Sequence, residues 1–312
     1  MEGIKNLDKI LTVADGIHVS RGDLGMHIDL EKIALAQKYI IFKAQVAGKP
    51  VVTSTQMLNS MICNHKPTLA EISDVANCAI DGTDAVMLSG ETAKGKNPVN
   101  CIKTMDTILS EARNVIDNCL LYNRLTSYNK TNNIHFNEAY NSFAAKIHTD
   151  HVNYEAIAAA TVETAINLNA KLIVVDQTHS DKGELCLFTS KYRPNAKIFA
   201  ITMNKKCANQ LEGMCYGVKT IVIQDGEYPI LPSNVPLLHR IVLLTKDTAY
   251  CIGNGDIIVC LFQECSLQKL PSKNHVSINK SQFNKKDNLG FKNSKIPATY
   301  VQRVITIGKD AF

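Results

Sequence analysis

Ser20-Arg21-Gly22-Asp23-Leu24-Gly25, Ser54-Thr55-Gln56-Met57 and Leu88-Ser89-Gly90-Glu91-Thr92-Ala93 are three short polar stretches, each closing an apolar, β-branched run. The runs are Thr12–Ser20, Lys49–Thr55 and Ala85–Ser89, and each is followed by a stretch of helical character: Leu30–Ala47, Leu69–Asp81 and Val99–Asn118. In the first of these, Ile33, Ala36, Gln37 and Ile40 recur at roughly helical spacing. Apolar runs alternating with helices read as parallel βα units, because parallel strands need a crossover element between them. The runs start about 36 residues apart, a reasonable size for one such unit. Eight units close a barrel of typically ~250 residues. Three leave an open edge, so the pattern predicts either part of an open sheet or a truncated barrel.

Both architectures place chemistry where the polar stretches fall, after the strands. Gly22 and Gly25 permit backbone turns that let amides point at an anion. Asp23 is a hard oxygen donor suited to Mg²⁺. The hydroxyl of Thr55 and the amide of Gln56 could orient a substrate, and Ser89 and Glu91 add a hydroxyl and a second carboxylate. Together they point to a metal–anion site. Taken singly, capping and turn roles explain each motif as well.

A second α/β pattern begins at Tyr154. A helix is expected over Ala156–Leu168, with strands at Lys171–Asp176, Lys197–Thr202 and Val218–Ile223. A helix at Val235–Ala249 and a strand at Asp256–Phe262 follow, with a final strand at Val301–Ile307. This predicts a separate, mainly parallel sheet covered on both faces. Between the two patterns, residues 119–152 are rich in Asn, Tyr, Thr and Ser and read as a partly ordered linker. Within it, His148-Thr149-Asp150-His151 reads as a polar loop before a helix rather than a metal cluster. Residues 264–297, dominated by Asn and Lys, read as a mobile insertion. The expected divisions are therefore 1–118, 119–152 and 153–312.

Composition narrows the function classes. Hydrophobic residues make up 45% and charged residues 20% of 312, which is ordinary for a globular protein. No run of ~18 apolar residues occurs, so no membrane span is expected. The start, Met1-Glu2-Gly3-Ile4-Lys5, lacks the apolar core of an export signal. The net charge of +5 is concentrated: residues 269–295 hold seven Lys and one Asp, so the rest is slightly acidic and nucleic acid is not an expected partner. Ten scattered cysteines with no CxxC read as buried thiols in a reducing compartment, which favours the cytoplasm.

The three stretches, extended to SRGDLG (20–25), STQMLNSM (54–61) and SDVANCAIDGTDAVMLSGETAKG (73–95), resemble the last three barrel strands of pyruvate kinases in wording and spacing. VETAINLNAKLIVV (162–175) and KYRPNAKIFAIT (191–202) are similar to that family's C-terminal domain. The resemblance implies the last three βα units of a TIM (β/α)₈ barrel, then a C-terminal α/β domain. It implies phosphoryl transfer from phosphoenolpyruvate to ADP, the last step of glycolysis, giving pyruvate and ATP, with Mg²⁺ and K⁺. By position, Asp23 resembles the Mg²⁺-ligating aspartate. Gly22 and Asp23 would offer backbone amides to the substrate carboxylate. Thr55 would offer its hydroxyl near where the enol carbon is protonated. Arg21, Gln56, Ser89 and Glu91 fall in supporting positions. The family assembles tetramers, so a homotetramer of complete subunits is expected.

The chain also departs from the family pattern. Only Glu2-Gly3 remain of the signature that carries the family's lysine and second Mg²⁺-binding carboxylate, and no residue here takes those roles, nor those of the K⁺ ligands. The stretch Asp176–Glu184, at the family's sugar-phosphate effector loop, is acidic and longer, which argues against a phosphate effector. The leading expectation is an N-terminally truncated pyruvate kinase, a gene fragment or split gene, inactive alone, whose targeting segment, if any, would lie in the missing half and could direct it to an organelle. A non-catalytic regulatory or oligomerisation relative is the alternative. An unrelated Mg²⁺-dependent barrel enzyme is disfavoured by the C-terminal pattern.

Overall fold

In the computed structural model, residues 2–128, 150–177, 183–223, 255–263 and 300–306 are described. Three strands, β1 (Ile17–Ser20), β2 (Val51–Ser54) and β3 (Ala85–Met87), form a parallel sheet in that order. Ser20 lies beside Ser54, and Ser54 beside Met87, so all three polar stretches leave the sheet at one end. The first strand is shorter than expected. The segment before it forms helices α1 (Glu2–Lys5) and α2 (Leu7–Val13). Leu7 and Leu11, one helical turn apart, are buried against Ile40, Ile41 and Ala44 of α4 (Ile33–Val46). Helical packing therefore wins over the β-branched Thr12-Val13 pair that drew the strand assignment.

The outer face of this sheet is built on Val19 and Val51, both buried with that cluster. Helix α5 (Leu69–Asp81) starts on a capping box: Thr68 accepts from the Glu71 amide while the Glu71 carboxylate accepts from the Thr68 amide. It ends at Gly82, whose φ of +97° is a left-handed cap that side-chain-bearing residues resist. Helix α7 (Pro98–Asn114) carries Pro at its start, where no N–H is needed. Together α5 and α7 close a second cluster around Met57, Leu58, Met61, Val75, Cys78, Cys101 and Met105. Between β1 and α4 lies a short helix, α3 (Arg21–Gly25), and between β3 and α7 another, α6 (Gly90–Ala93).

The second sheet has five strands in the order β6-β5-β4-β7-β8. They are β4 (Leu172–Asp176), β5 (Lys197–Thr202), β6 (Val218–Val222), β7 (Ile257–Gln263) and β8 (Tyr300–Thr306). All neighbours are parallel except β7 and β8, which run antiparallel. Helices α9 (Asp150–Asn167), α10 (Glu184–Lys191) and α11 (Lys205–Met214) connect and cover it. The expected helix at Val235–Ala249 and the insertion at 264–297 lie outside the described residues.

The two regions share a boundary that the sequence pattern does not reveal. Residues 119–128, read as the start of a linker, belong to a helix, α8 (118–128). Tyr122 and Leu125 on it, and Val46 at the end of α4, join the buried core of the second sheet. Lys191, fully buried, pairs with Glu155 and donates to the Val46 carbonyl at 2.7 Å. Burial pushes its amine below the ordinary lysine value, against the pull of Glu155. Arg193 reaches the Asp84 carboxylate at 3.0 Å and the Gly82 carbonyl, which also accepts from Gln45 at 2.9 Å.

Candidate functional site

The Thr55–Gln56 corner is where the backbone is most constrained. Thr55 (φ +70°) and Gln56 (φ +52°) are consecutive non-glycine residues in the left-handed region. Such conformations cost of order 1–3 kcal/mol each and persist only where surroundings hold them. Here Arg21 holds them. Its guanidinium donates to the carbonyl of Thr55 at 2.7 Å and to those of Ser54 and Gln56 at 3.3 and 3.2 Å. It is fixed in turn by Asp74 on α5, both of whose oxygens lie 2.6–2.7 Å from one arginine nitrogen. A guanidinium suits this task because its donors form a rigid planar fork.

Arg21 is thus committed to the protein rather than facing a ligand. Asp74 is a functional neighbour that motif reading missed; the signal was an arginine in SRGDLG in need of a carboxylate partner, with SDVAN the stretch that supplies it. Cys78 lies beside this pair, and its thiol is pushed up to about 11, chiefly by burial and then by Asp74. It is therefore a poor nucleophile at neutral pH.

Gly22 and Thr55 do come together, and Asp23 follows Gly22 on the same short helix. The Gly22 amide donates to Thr55 Oγ1 at 2.8 Å, and that hydroxyl donates to the Ser54 carbonyl at 2.6 Å. An incoming carboxylate would have to take the Gly22 amide from Thr55, an exchange rather than the capture of a free donor. His18 Nε2 lies 2.6 Å from Ser54 Oγ on the sheet face opposite Val19, and adds a second unforeseen member to this end of the sheet. The Asp23 carboxylate is exposed and makes no hydrogen bond or ion pair among the described residues. Ser89 and the side chain of Gln56 are exposed close by in sequence to the two loops. Glu91, read as a further carboxylate for the site, is 3% exposed, and its oxygens accept from the amides of Leu58 at 3.2 Å and Ser89 at 2.9 Å. It is a fastening, not a free donor.

This donor set fits Mg²⁺ in a limited way. Asp23 offers one free carboxylate, and no cluster of three or more His, Cys, Asp or Glu occurs among the described residues. Mg²⁺ is commonly held by one or two carboxylates, with waters and substrate oxygens completing the octahedron, so Asp23 could anchor it only with a ligand present. No K⁺ ligand can be assigned. No described helix is long and apolar enough to cross a membrane.

Known proteins resemble this chain in sequence and fold. The profile described as "Pyruvate kinase, barrel domain" matches residues 1–102, and "Pyruvate kinase, alpha/beta domain" matches 155–264. The chain belongs to the pyruvate kinase family. It is 38% identical over 261 residues to the pyruvate kinase of Eimeria tenella and 41% identical over 261 residues to that of Clostridium acetobutylicum. These alignments cover 84% and 83% of this chain but 44% and 48% of the relatives, so the chain spans about half their length. Among solved structures, a Cryptosporidium parvum pyruvate kinase superposes with a TM-score of 0.68 at 39% identity, covering 83% of this chain and 47% of the other. A complex of Cryptosporidium parvum pyruvate kinase with ADP gives 0.70 at 35% identity, covering 98% and 50%. The first sheet is accordingly part of a TIM barrel, and the second is the family's α/β domain.

Proposed function

We propose that this chain contributes to phosphoryl transfer from phosphoenolpyruvate to ADP, giving pyruvate and ATP in the last step of glycolysis. The observation that supports the reading is the Gly22 amide bonded to the Thr55 hydroxyl at one strand-end corner, with the exposed Asp23 carboxylate next along the chain. Phosphoryl transfer asks a protein for alignment and charge neutralisation more than for a nucleophile. Asp23 would anchor Mg²⁺, which neutralises phosphoryl charge when bound. The amides of Gly22 and Asp23 would receive the substrate carboxylate. Thr55, held by Arg21, would present its hydroxyl beside the enol carbon.

The 312 residues on their own are proposed to be inactive. No lysine in them matches the family's phosphoryl-neutralising lysine, and Arg21 is bound to Asp74. Losing one such stabiliser costs about 10²–10³ in rate. Complete subunits would assemble as a homotetramer in the cytoplasm. A coupled pyruvate-formation assay with phosphoenolpyruvate, ADP, Mg²⁺ and K⁺ tests this: the expected result is no turnover. Turnover abolished by Asp23→Ala would overturn the inactivity. Mg²⁺-dependent binding of oxalate, a planar dianion shaped like the enolate of pyruvate, should be detectable and lost in Asp23→Ala. Its absence in the unaltered chain would favour a non-catalytic relative.

A further inference from the structure

The loops that carry Thr55 and Ser89 leave neighbouring strands, and a single side chain spans both. Glu91 is 3% exposed, yet it is a potentially charged group with nothing basic bonded to it. Burying a carboxylate is costly unless both oxygens are satisfied. Its Oε1 accepts from the Leu58 amide and its Oε2 from the Ser89 amide. Leu58 lies three residues beyond Thr55 and is completely buried. Arg21 fixes the near side of the left-handed corner by its carbonyls at 54–56, and Glu91 fixes the far side by the amide at 58.

We infer that Glu91 is a positioning residue, whose buried carboxylate sets the separation between the loop of Thr55 and the loop of Ser89. This rests on the phosphoenolpyruvate reading given above. The chemistry explains why the residue is an acid. Two converging N–H donors require a group with two acceptors and no donor, which a carboxylate is and an amide is not. Glutamine would satisfy one amide and set an NH₂ against the other. Hydrogen bonds to an ionised acceptor are also roughly twice as strong as neutral ones. The neighbouring Cys101 thiol, held protonated first by burial and then by Glu91, donates to the Met61 carbonyl instead.

The test compares Glu91→Gln with Met105→Ala, which opens a hole in the same apolar cluster but leaves both hydrogen bonds of Glu91 in place. Two quantities are read on the full 312-residue chain: hydrogen exchange at the amides of Leu58 and Ser89, and the Kd for oxalate with Mg²⁺, followed by amide shifts at Gly22, Thr55 and Ser89. Glu91→Gln should speed exchange at one or both amides and weaken oxalate about tenfold, the equivalent of one such bond. Glu91→Asp, with both acceptors on a shorter arm, should recover part of that loss. Met105→Ala should lower the melting temperature and leave the oxalate Kd within about twofold. Unchanged oxalate binding in Glu91→Gln, or an equal loss in Met105→Ala, would overturn the positioning role. If the unaltered chain binds no oxalate, the substrate reading fails and the role falls with it, while amide exchange still reports whether the tether exists.

Discussion

Every residue of β4 and all but the first of β5 are buried, whereas β1 buries one residue, β2 three and β3 none. The same contrast holds for exposed apolar side chains. In the barrel portion Leu69, Val13, Leu30 and Met26 are 72–85% exposed, while in the second domain no large described apolar residue exceeds the 46% of Val304. The second domain is held by apolar cover on both faces of its sheet. In the barrel portion the working corner is held by directed polar ties: Arg21 to three carbonyls and Asp74, Glu91 to two amides, His18 to Ser54. Where burial is thin, hydrogen bonds set geometry, and they set it more exactly than apolar contact because they are directional.

The largest effect is expected where the two regions meet. Arg193→Ala leaves Asp84 buried without its partner, and breaking such a pair costs about 3–5 kcal/mol. Urea unfolding should show that loss together with two separated transitions, the barrel portion melting first. A single transition would mean that the regions do not differ in stability. Next is Ile198→Ala in β5, where the side chain is 1% exposed and a cavity costs about 2–5 kcal/mol. Met87→Ala, at 40% exposure in β3, should cost under about 1 kcal/mol. Equal losses at the two positions would break the comparison.

Arg21→Lys addresses the polar ties. A lysine cannot reproduce the fork, so the corner should loosen, with faster amide exchange across 55–58 and a stability loss of about 1–2 kcal/mol in denaturant. A modest change is expected at the α5 cap, where Thr68→Ala should cost about 0.5–2 kcal/mol by thermal unfolding. Burial raises the Glu71 pKa, but four hydrogen bonds from Ser60 and Thr68 outweigh it and hold the carboxyl below its ordinary 4.5. Glu71 therefore contributes stability above pH 4.5 that is lost as pH falls through its lowered value. The Thr68→Ala variant should show a shallower loss over that window.

Much of this was legible in the residues. Strand-like runs spaced about 36 residues apart gave the parallel order of the first sheet, and hydrophobic runs such as KLIVVD gave β4. The ends were less legible. Val13 belongs to α2, because the Leu7 and Leu11 pair buried under α4 decides the segment, a contact formed with residues some 30 positions away. Helix α8 hid among Asn and Thr, although Tyr122 and Leu125 are buried on its inward face with Leu121 and Tyr128 packed beside them. At the site, Asp23, Gly22 and Thr55 were named from their motifs, and the structure brings Gly22 to Thr55. The part of Asp74 could not be read from spacing, because it depends on a helix folding back across a strand end. Glu91 was read as a free acid, because sequence shows that a carboxylate is present but not whether its oxygens are already used.

Gly82 carries a consequence of its own. Its carbonyl accepts from Gln45 and from Arg193, its φ is left-handed, and a Cβ there would run into the Gln45 amide. Any replacement would disturb α4, the start of β3 and the second domain together, at the end of β3 opposite its polar stretch. In a living cell such a lesion is read by chaperones and proteases before any substrate is met, so its outcome would be a scarcity of protein rather than a slower enzyme.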